Sequence, residues 1–516
     1  MNILQDILGL FKRKKIVKTL QSNDYIPLGT FKSKKEALKP NPKMESVLIS
    51  AIDLKTYIGA GGGGGLLNLT NSLVVSKGGN DATALSDGKY DLLSPWLNPT
   101  VAMANASVGD TVIVYPGIYT IGTGSDITDD GAQPFIKSGV TLYMMPGAEI
   151  NYTNLTGTMG VDVSLPFSDG GVASTFVIRG KGKFVFNASL AVAAQQFIVT
   201  TNENTVVDWE FDEIDARLRW GGSGHNCKSW RMVGRKYLQR EQMLFAFRYT
   251  GTITDRIVYI DIEELEFKNE YPSSTNWTRM ELRTFGDNSI ADIKFGTVVY
   301  INAFPNGGLF QVLGSSGPAT VNVDIGQVTR TGIDAINDYL IRSEYDRSSG
   351  NISIRNIQTT TGLLQALQAV GLPEYKRTIY FQGKVVTGST AAINLLNLQS
   401  QLTDIQVLLD VDVQVSSATF YGMTIGNAPD AKIGGYLKWG NDLNEPCRST
   451  TNTGTCAQFH NLIISDVSGS ALSSVLNQSA TTINLKVINS YATKAVSLSN
   501  GGVNQLIDTI TIDTNV

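Results

Sequence analysis

From residue 67 onward, apolar positions come in short alternating runs. Val207-Trp209-Phe211, Ile257-Tyr259-Asp261, Val321-Val323-Ile325, Ile352-Ile354 and Val411-Val413-Val415 each repeat at every second residue. That is the period of a strand whose side chains point alternately to its two faces. The runs are rich in Val, Ile, Thr, Tyr and Phe, and Gly, Asn, Asp and Ser separate them, the residues that turn a chain. Helical periodicity is nearly absent; GLLQALQAVG at 362–371 suggests one short helix on a loop. Apolar strand starts recur at Ile293, Val323, Ile352, Ile379 and Ile405, a near-constant interval that narrows slightly along the chain. Pro116-Gly117 and Pro146-Gly147 end two apolar runs set apart by the same interval as Ile293 and Val323. A strand returning at that interval predicts one turn of a parallel β-helix, with coils stacked at ~4.8 Å. Neighbouring coils bury the edge that no single coil could hide. A β-sandwich also supplies many short strands, but it would carry more Asn-Gly and Asp-Gly hairpin turns than this chain has.

Residues 1–66 follow a different pattern. Leu4, Ile7, Leu8, Phe11 and Ile16 fall at helical spacing, with Lys12, Arg13, Lys14 and Lys15 among them, which predicts an amphipathic basic helix over 1–20. A solvated helix, a docking peptide and a membrane-surface helix all fit that pattern. Residues 21–43, with Pro27, Pro40 and Pro42, read as an extended arm, and MESVLISAIDLKTYI (44–58) as a short helix with Val47, Leu48, Ala51 and Ile52 inward. Residues 21–58 thus form an arm and short helix. The stretch 59–66, GAGGGGGL, is a hinge, because serial glycines hold no single conformation. No Lys-Ser/Thr follows it, so a phosphate-binding loop is not indicated.

Charge sharpens the division. The 516 residues carry a net charge of −4, but residues 1–50 hold ten Lys/Arg against four Asp/Glu, a net +6 that leaves −10 for the rest. Bulk attraction of the body to nucleic acid or membrane is therefore not expected. The Lys12–Lys15 cluster follows the apolar start instead of preceding it, the reverse of a secretory leader, so synthesis in a cytoplasm is expected. No apolar run approaches the ~18 residues of a membrane span. Three cysteines, Cys227, Cys447 and Cys456, argue against a disulfide framework, although Cys447 and Cys456 could close a loop outside a cell.

The segment 78–120, GGNDATALSDGKYDLLSPWLNPTVAMANASVGDTVIVYPGIYT, resembles the opening of right-handed β-helix proteins of the pectin-lyase-like type. In those, a G-N-D turn leads to a short helix and then to G-D-T-V-x-V-x-P-G-x-Y. The resemblance implies a helix over Thr100–Ala106 and a strand over Thr111–Tyr115. It also implies a cap over 67–110 that covers the first coil, and a β-helix body over 111–516. GVTLYMMPGAEI (139–150) and FVIRGKGKFVF (176–186) look like the next coils. The fold class expected is all-β: a right-handed parallel β-helix body with a short helical and extended N-terminal anchor. The whole arrangement resembles a tailed-phage virion fibre or tailspike, and its head is similar to proteins of crAss-like gut phages. The resemblance implies a homotrimer located in the virion after synthesis in the bacterial host. It also implies attachment to capsid, portal or tail proteins through residues 1–58, with Leu4, Leu8, Phe11, Lys12, Arg13, Lys14 and Lys15 as the anchoring set. Contact with host surface polysaccharide would be the role of the body. The alternative is a tailspike depolymerase, a glycoside hydrolase or lyase; a bacterial surface adhesin is the third class.

A depolymerase needs two carboxylates ~5–9.5 Å apart. Glu210 and Asp212 are the candidate pair, with Asp208, Asp215, Arg217 and Arg219 nearby. Trp209, Trp220 and Trp230 are the candidate glycan contacts, since rings stack on sugar faces. Glu344 and Asp346 with Arg342 and Arg347 form a second cluster. A solvated strand face with ordinary ion pairs is the expected reading of both clusters, ahead of catalysis. His225-x-Cys227 and Cys447-x8-Cys456-x3-His460 match no zinc spacing, so no metal and no cofactor is expected. Two histidines leave little material for His-based acid–base chemistry.

Overall fold

The structure is a computed structural model. It describes residues 25–28, 47–50, 71–121, 136–155, 167–188, 197–218, 220–240, 243–249, 254–268, 280–283, 286–303, 309–313, 319–332, 339–344, 349–359, 365–370, 377–387, 394–399, 405–415, 421–425, 431–440, 446–449, 458–465, 476–477, 481–483, 485–488 and 510–513. The expected helix over 1–20 and the hinge at 59–66 lie outside the described residues. The chain divides into two compact units, one of residues 1–119, 139–149 and 179–182, the other of 120–138, 150–178 and 183–516.

In the first unit, Tyr25–Leu28 pairs antiparallel with Val47–Ser50, Tyr25 opposite Ser50. This corrects the short helix expected over 44–58: β-branched Val47 and Ile49 favour the extended form once a partner strand is present. Further on, Ser72–Val75, Thr111–Val114 and Thr141–Met144 stack in parallel, so that Leu73, Val112 and Leu142 form one ladder and Val75, Val114 and Met144 another. Two short helices lie between the first and second of these strands. α1 (Asp81–Ser86) starts on Asn80, whose side chain accepts the Thr83 N–H at 3.0 Å. α2 (Pro99–Asn105) starts on Asn98, which accepts the Thr100 N–H at 2.8 Å. Each cap satisfies a helix N–H that has no partner within its own helix. The expected helix over Thr100–Ala106 is thus present, displaced by one residue. Gly180 shows how closely coils approach: its φ is +98°, and a Cβ there would lie 2.1 Å from the Met144 carbonyl oxygen.

The second unit is built from two parallel sheets that alternate along the chain. Long strands such as Val206–Arg217, Ser229–Gln239, Ile257–Lys268, Ile290–Ala303 and Thr320–Gly332 form one. Short strands, from Phe167–Ser168 through Trp220–Gly224, Met243–Arg248 and Met280–Arg283 to Leu476–Asn477, form the other, twelve strands deep. The protein is a right-handed parallel β-helix. Its register explains the repeat seen in the sequence. Trp209, Met232, Ile260, Ile293, Val323, Ile352, Ile379, Val407 and Ile433 are direct partners along one interior ladder. Ile405 is opposite Arg377, two positions earlier, and an offset of two keeps it on the same face. Gln365–Val370 is a strand of the short sheet, Leu367 lying between Ile341 and Leu396. This corrects the helix expected over 362–371: pairing on both sides overrides the local propensity of Leu, Gln and Ala.

The long strands do not alternate throughout. In Val206–Arg217, Phe211 and Ile214 are buried while Asp212 and Glu213 between them both reach solvent. Arg235-Lys236 and Glu263-Glu264 repeat this paired step in the next two long strands. Here the strand turns a corner, and two successive side chains point outward.

Candidate functional site

The strand Val206–Arg217 sends Val207, Trp209 and Phe211 inward and Asp208, Glu210 and Asp212 outward. Trp209 is fully buried. Its ring centroid lies 4.6 Å from Phe167, 5.1 Å from Phe184, 5.5 Å from Phe197 and 6.4 Å from Phe186. Trp230 occupies the position stacked on Val207 and is also fully buried, 5.5 Å from Phe245 and 5.2 Å from Phe247. This corrects the expectation that Trp209 and Trp230 contact glycan. The alternation that makes the strand places both indoles in the core, with no ring face open to a sugar. Trp220 begins the strand Trp220–Gly224; its side chain lies outside the described residues.

The acids on the outer face are held by basic side chains from the adjacent coils. Arg231 reaches Asp208 at 2.9 Å and Glu210 at 3.1 Å. Arg235 forks onto Asp212 at 2.9 and 3.1 Å and lies 3.6 Å from Glu213. Lys183 reaches Glu213 at 3.2 Å, and Lys236 reaches Glu264 at 2.5 Å and Glu266 at 3.0 Å. Burial alone would raise the Glu266 carboxyl, but Lys236 and Lys268 outweigh it and hold the group below the usual carboxylate range. The hydrogen bond to Glu264 leads the causes that raise Lys236. A glycosidase acid must stay protonated near neutral pH, which needs burial or a neighbouring negative charge. Glu210 and Asp212 are instead half-exposed, with arginines rather than acids against them. The pair expected from sequence therefore sits on one face, but as ion-pair acceptors.

The buried acids are equally engaged. Asp169 accepts the backbone N–H groups of Thr201 and Asn202 at 2.7 and 2.8 Å and the Thr205 hydroxyl at 2.9 Å. Asp215 is gripped by Arg240 at 2.6 and 2.8 Å. Glu281 lies between Arg248 at 3.2 Å and Arg283 at 2.6 Å. His225 lies near this last group. Burial, then the Arg248 charge, lowers its pKa, and Glu281 opposes them. Cys227 is a buried free thiol. Burial pushes it up to about 11 against hydrogen bonds with Thr200 and Tyr249, so it is a poor nucleophile at neutral pH. Among the described residues no group of three His, Cys, Asp or Glu is placed to hold a metal ion. Arg342 and Glu344 lie in the strand Tyr339–Glu344, Cys447 in Cys447–Ser449 and His460 in Gln458–Ser465; their side chains, and all of Asp346, Arg347 and Cys456, lie outside the described residues.

Sequence reasoning missed the outward apolar positions. Ile257 and Ile290 are register partners, 51 % and 42 % exposed, and Tyr259 beside them is 37 % exposed. Arg231 and Asp292 flank Tyr259 in the adjacent coils, with Asn322 beyond Asp292. The signal lay in IVYIDI: Val258, Ile260 and Ile262 form the consistently apolar set, which leaves Ile257, Tyr259 and Asp261 as the outer face. No protein-family model, curated protein or solved structure matches this chain.

Proposed function

We propose that this chain is a structural component of a phage virion, a trimeric β-helical head or tail fibre. Residues 1–58 fix it to capsid, portal or tail proteins, and the body projects outward to meet host-surface glycan. The observation that carries this reading is the parallel pairing of successive long strands from Lys183 to Ser465, a stack of coils suited to a stiff projection. The net +6 head ahead of a −10 body supports a separate anchoring role. The exposed ring of Tyr259, with Arg231, Asp292 and Asn322 around it, is the surface best equipped for a sugar. The engagement of Glu210 and Asp212 by arginines favours binding over cleavage.

The test is assembly. A protein lacking residues 1–58 should fold and be missing from purified particles, and Lys12, Arg13, Lys14 and Lys15 all changed to Glu should weaken incorporation. A truncated body that still joins particles places attachment on the β-helix instead. Light scattering of the full chain should give three copies; a stable monomer of 55.7 kDa refutes the trimer. Tyr259→Ala should weaken retention on host polysaccharide without altering the melt.

A further inference from the structure

The first unit carries an apolar surface that the described residues leave uncovered. Leu85 on α1 is 59 % exposed, and Leu92, Leu93 and Leu97 in the loop that follows are 48 %, 90 % and 42 % exposed. The loop is stitched to α1 at both ends. The Leu97 N–H donates to the Asp81 carboxylate at 2.7 Å, and the Ser94 hydroxyl donates to Asp87 at 2.5 Å. Four exposed leucines thus stand on one helix and the loop tied to it, a concentration within 13 residues of sequence that single exposed apolar residues do not explain. The rim of this platform is acidic, with Asp81, Asp87 and Asp91 beside the leucines. The two nearby lysines are engaged elsewhere. Lys89 donates to the Asn105 carbonyl at 3.1 Å and the Ser107 hydroxyl at 2.8 Å, and Lys77 lies over the Tyr119 ring.

The same chain contains a segment of matching chemistry. Leu4, Ile7, Leu8 and Phe11 make an apolar stripe at helical spacing, and Lys12, Arg13, Lys14 and Lys15 follow it directly. The stripe suits the leucines and the basic cluster suits the aspartates. The connection is long enough. Tyr25 lies opposite Ser50, so the chain enters and leaves that hairpin at the same end. From there, residues 51–71 at ~3.3 Å each span up to about 70 Å. We propose that residues 2–20 dock as an amphipathic helix on the Leu85–Leu92–Leu93–Leu97 platform of their own chain. This does not rest on the virion reading, but it bears on it. A docked head hides Leu4, Leu8 and Phe11, so docking and attachment through those residues exclude one another.

The experiment uses the full chain, unlabelled and isotope-labelled preparations being mixed in urea and refolded together before treatment with a carbodiimide. Amide crosslinks should join Lys12, Lys14 or Lys15 to Asp87 or Asp91, within light chains and within heavy chains only. Mixed light–heavy crosslinks would assign the platform to a neighbouring copy, and no crosslink to the platform would refute docking altogether; either result overturns the proposal. Leu92→Asp with Leu93→Asp should speed trypsin cleavage after Arg13 and Lys15 by about tenfold, because cleavage follows the undocked population. Leu8→Asp with Phe11→Asp should do the same from the helix side, where the cap's folding is not at stake. Unchanged cleavage in this second variant overturns the proposal.

Discussion

Gly326 offers the sharpest test of the stacked coils. A Cβ at that position would lie 2.1 Å from the carbonyl oxygen of Gly296, its neighbour in the preceding coil. Carbon–oxygen contacts settle near ~3.3 Å, so Gly326→Ala must open the two coils by about 1.2 Å, a quarter of their ~4.8 Å spacing. The obstructing atom is backbone, so no rotamer change relieves it. Overpacking of this kind costs ~1–3 kcal/mol. Loss of glycine's freedom in the unfolded chain offsets only ~0.4–1 kcal/mol, so a net loss of about 1–2 kcal/mol is expected. Neighbouring coils alone share the strain. Amide exchange should therefore quicken most in Ile290–Ala303, Thr320–Gly332 and Gly350–Thr359. Urea denaturation of the full chain gives the magnitude, with exposed Gln327→Ala as a control expected within ~0.5 kcal/mol of the parent. The reasoning fails if Gly326→Ala is no worse than Gln327→Ala, or if protection falls evenly along the protein.

Four further outcomes are expected. Trp209→Ala should cost ~3–5 kcal/mol in the same denaturation assay. Trp209→Phe should cost clearly less, because the buried indole N–H has no hydrogen-bond partner among the described residues and leaving such a donor buried costs ~1–3 kcal/mol. The His225 pKa is lowered by burial, so the unfolded chain protonates first and stability should fall as pH drops below about 6.5; His225→Gln should flatten that slope. Glu210→Gln and Asp212→Asn should each change stability by less than ~1 kcal/mol, as half-exposed ion pairs do, and should release no fewer reducing ends from host polysaccharide than the parent; activity lost with the fold intact would make them catalytic. Lys236→Glu should destabilise by about 1–2 kcal/mol by facing Glu213, Glu264 and Glu266 with a like charge, and adding Glu264→Lys should recover part of it.

The strands were legible because the parallel register repeats one physical demand at every coil. Ile293, Val323, Ile352 and Ile379 are all apolar, each one coil after the last, because they are stacked partners. The two helices misread, over 44–58 and 362–371, are segments whose extended form depends on partner strands, at 25–28 for one and in the neighbouring short strands for the other. Local propensity contains no such information. The candidate site was half legible. Placing Glu210 and Asp212 on one face follows from period two alone. Their pairing with Arg231 and Arg235 depends on the register of the following coil, which composition cannot supply. Trp209 and Trp230 were read as surface rings because they stand among charged residues in sequence, whereas alternation sends those neighbours to the opposite face.

The charges on the outer face have an explanation that does not involve catalysis. Lys183, Glu213, Lys236 and Glu264 occupy one position in four successive coils, and their signs alternate. Parallel in-register strands bring equivalent side chains within about one coil spacing, where like charges repel by roughly 1 kcal/mol even in water. The interior ladder already forbids a slip by one residue, since that would expose Trp209 and Phe211. A slip by two is opposed as well, because the paired outward step at Asp212-Glu213 would set Ile214 or Phe211 in an outward position. Such a slip would place Glu213 opposite Gly234 or Leu238 and break its pairing with Lys236. The apolar ladder and its corner therefore fix the register, and the charged ladder favours the same one. Carboxylates engaged in that task are held by lysine and arginine side chains in the folded protein. A search for chemistry on this molecule should accordingly begin with groups outside the register ladders, and Tyr259, exposed and flanked by Arg231 and Asp292, is such a group on the same face.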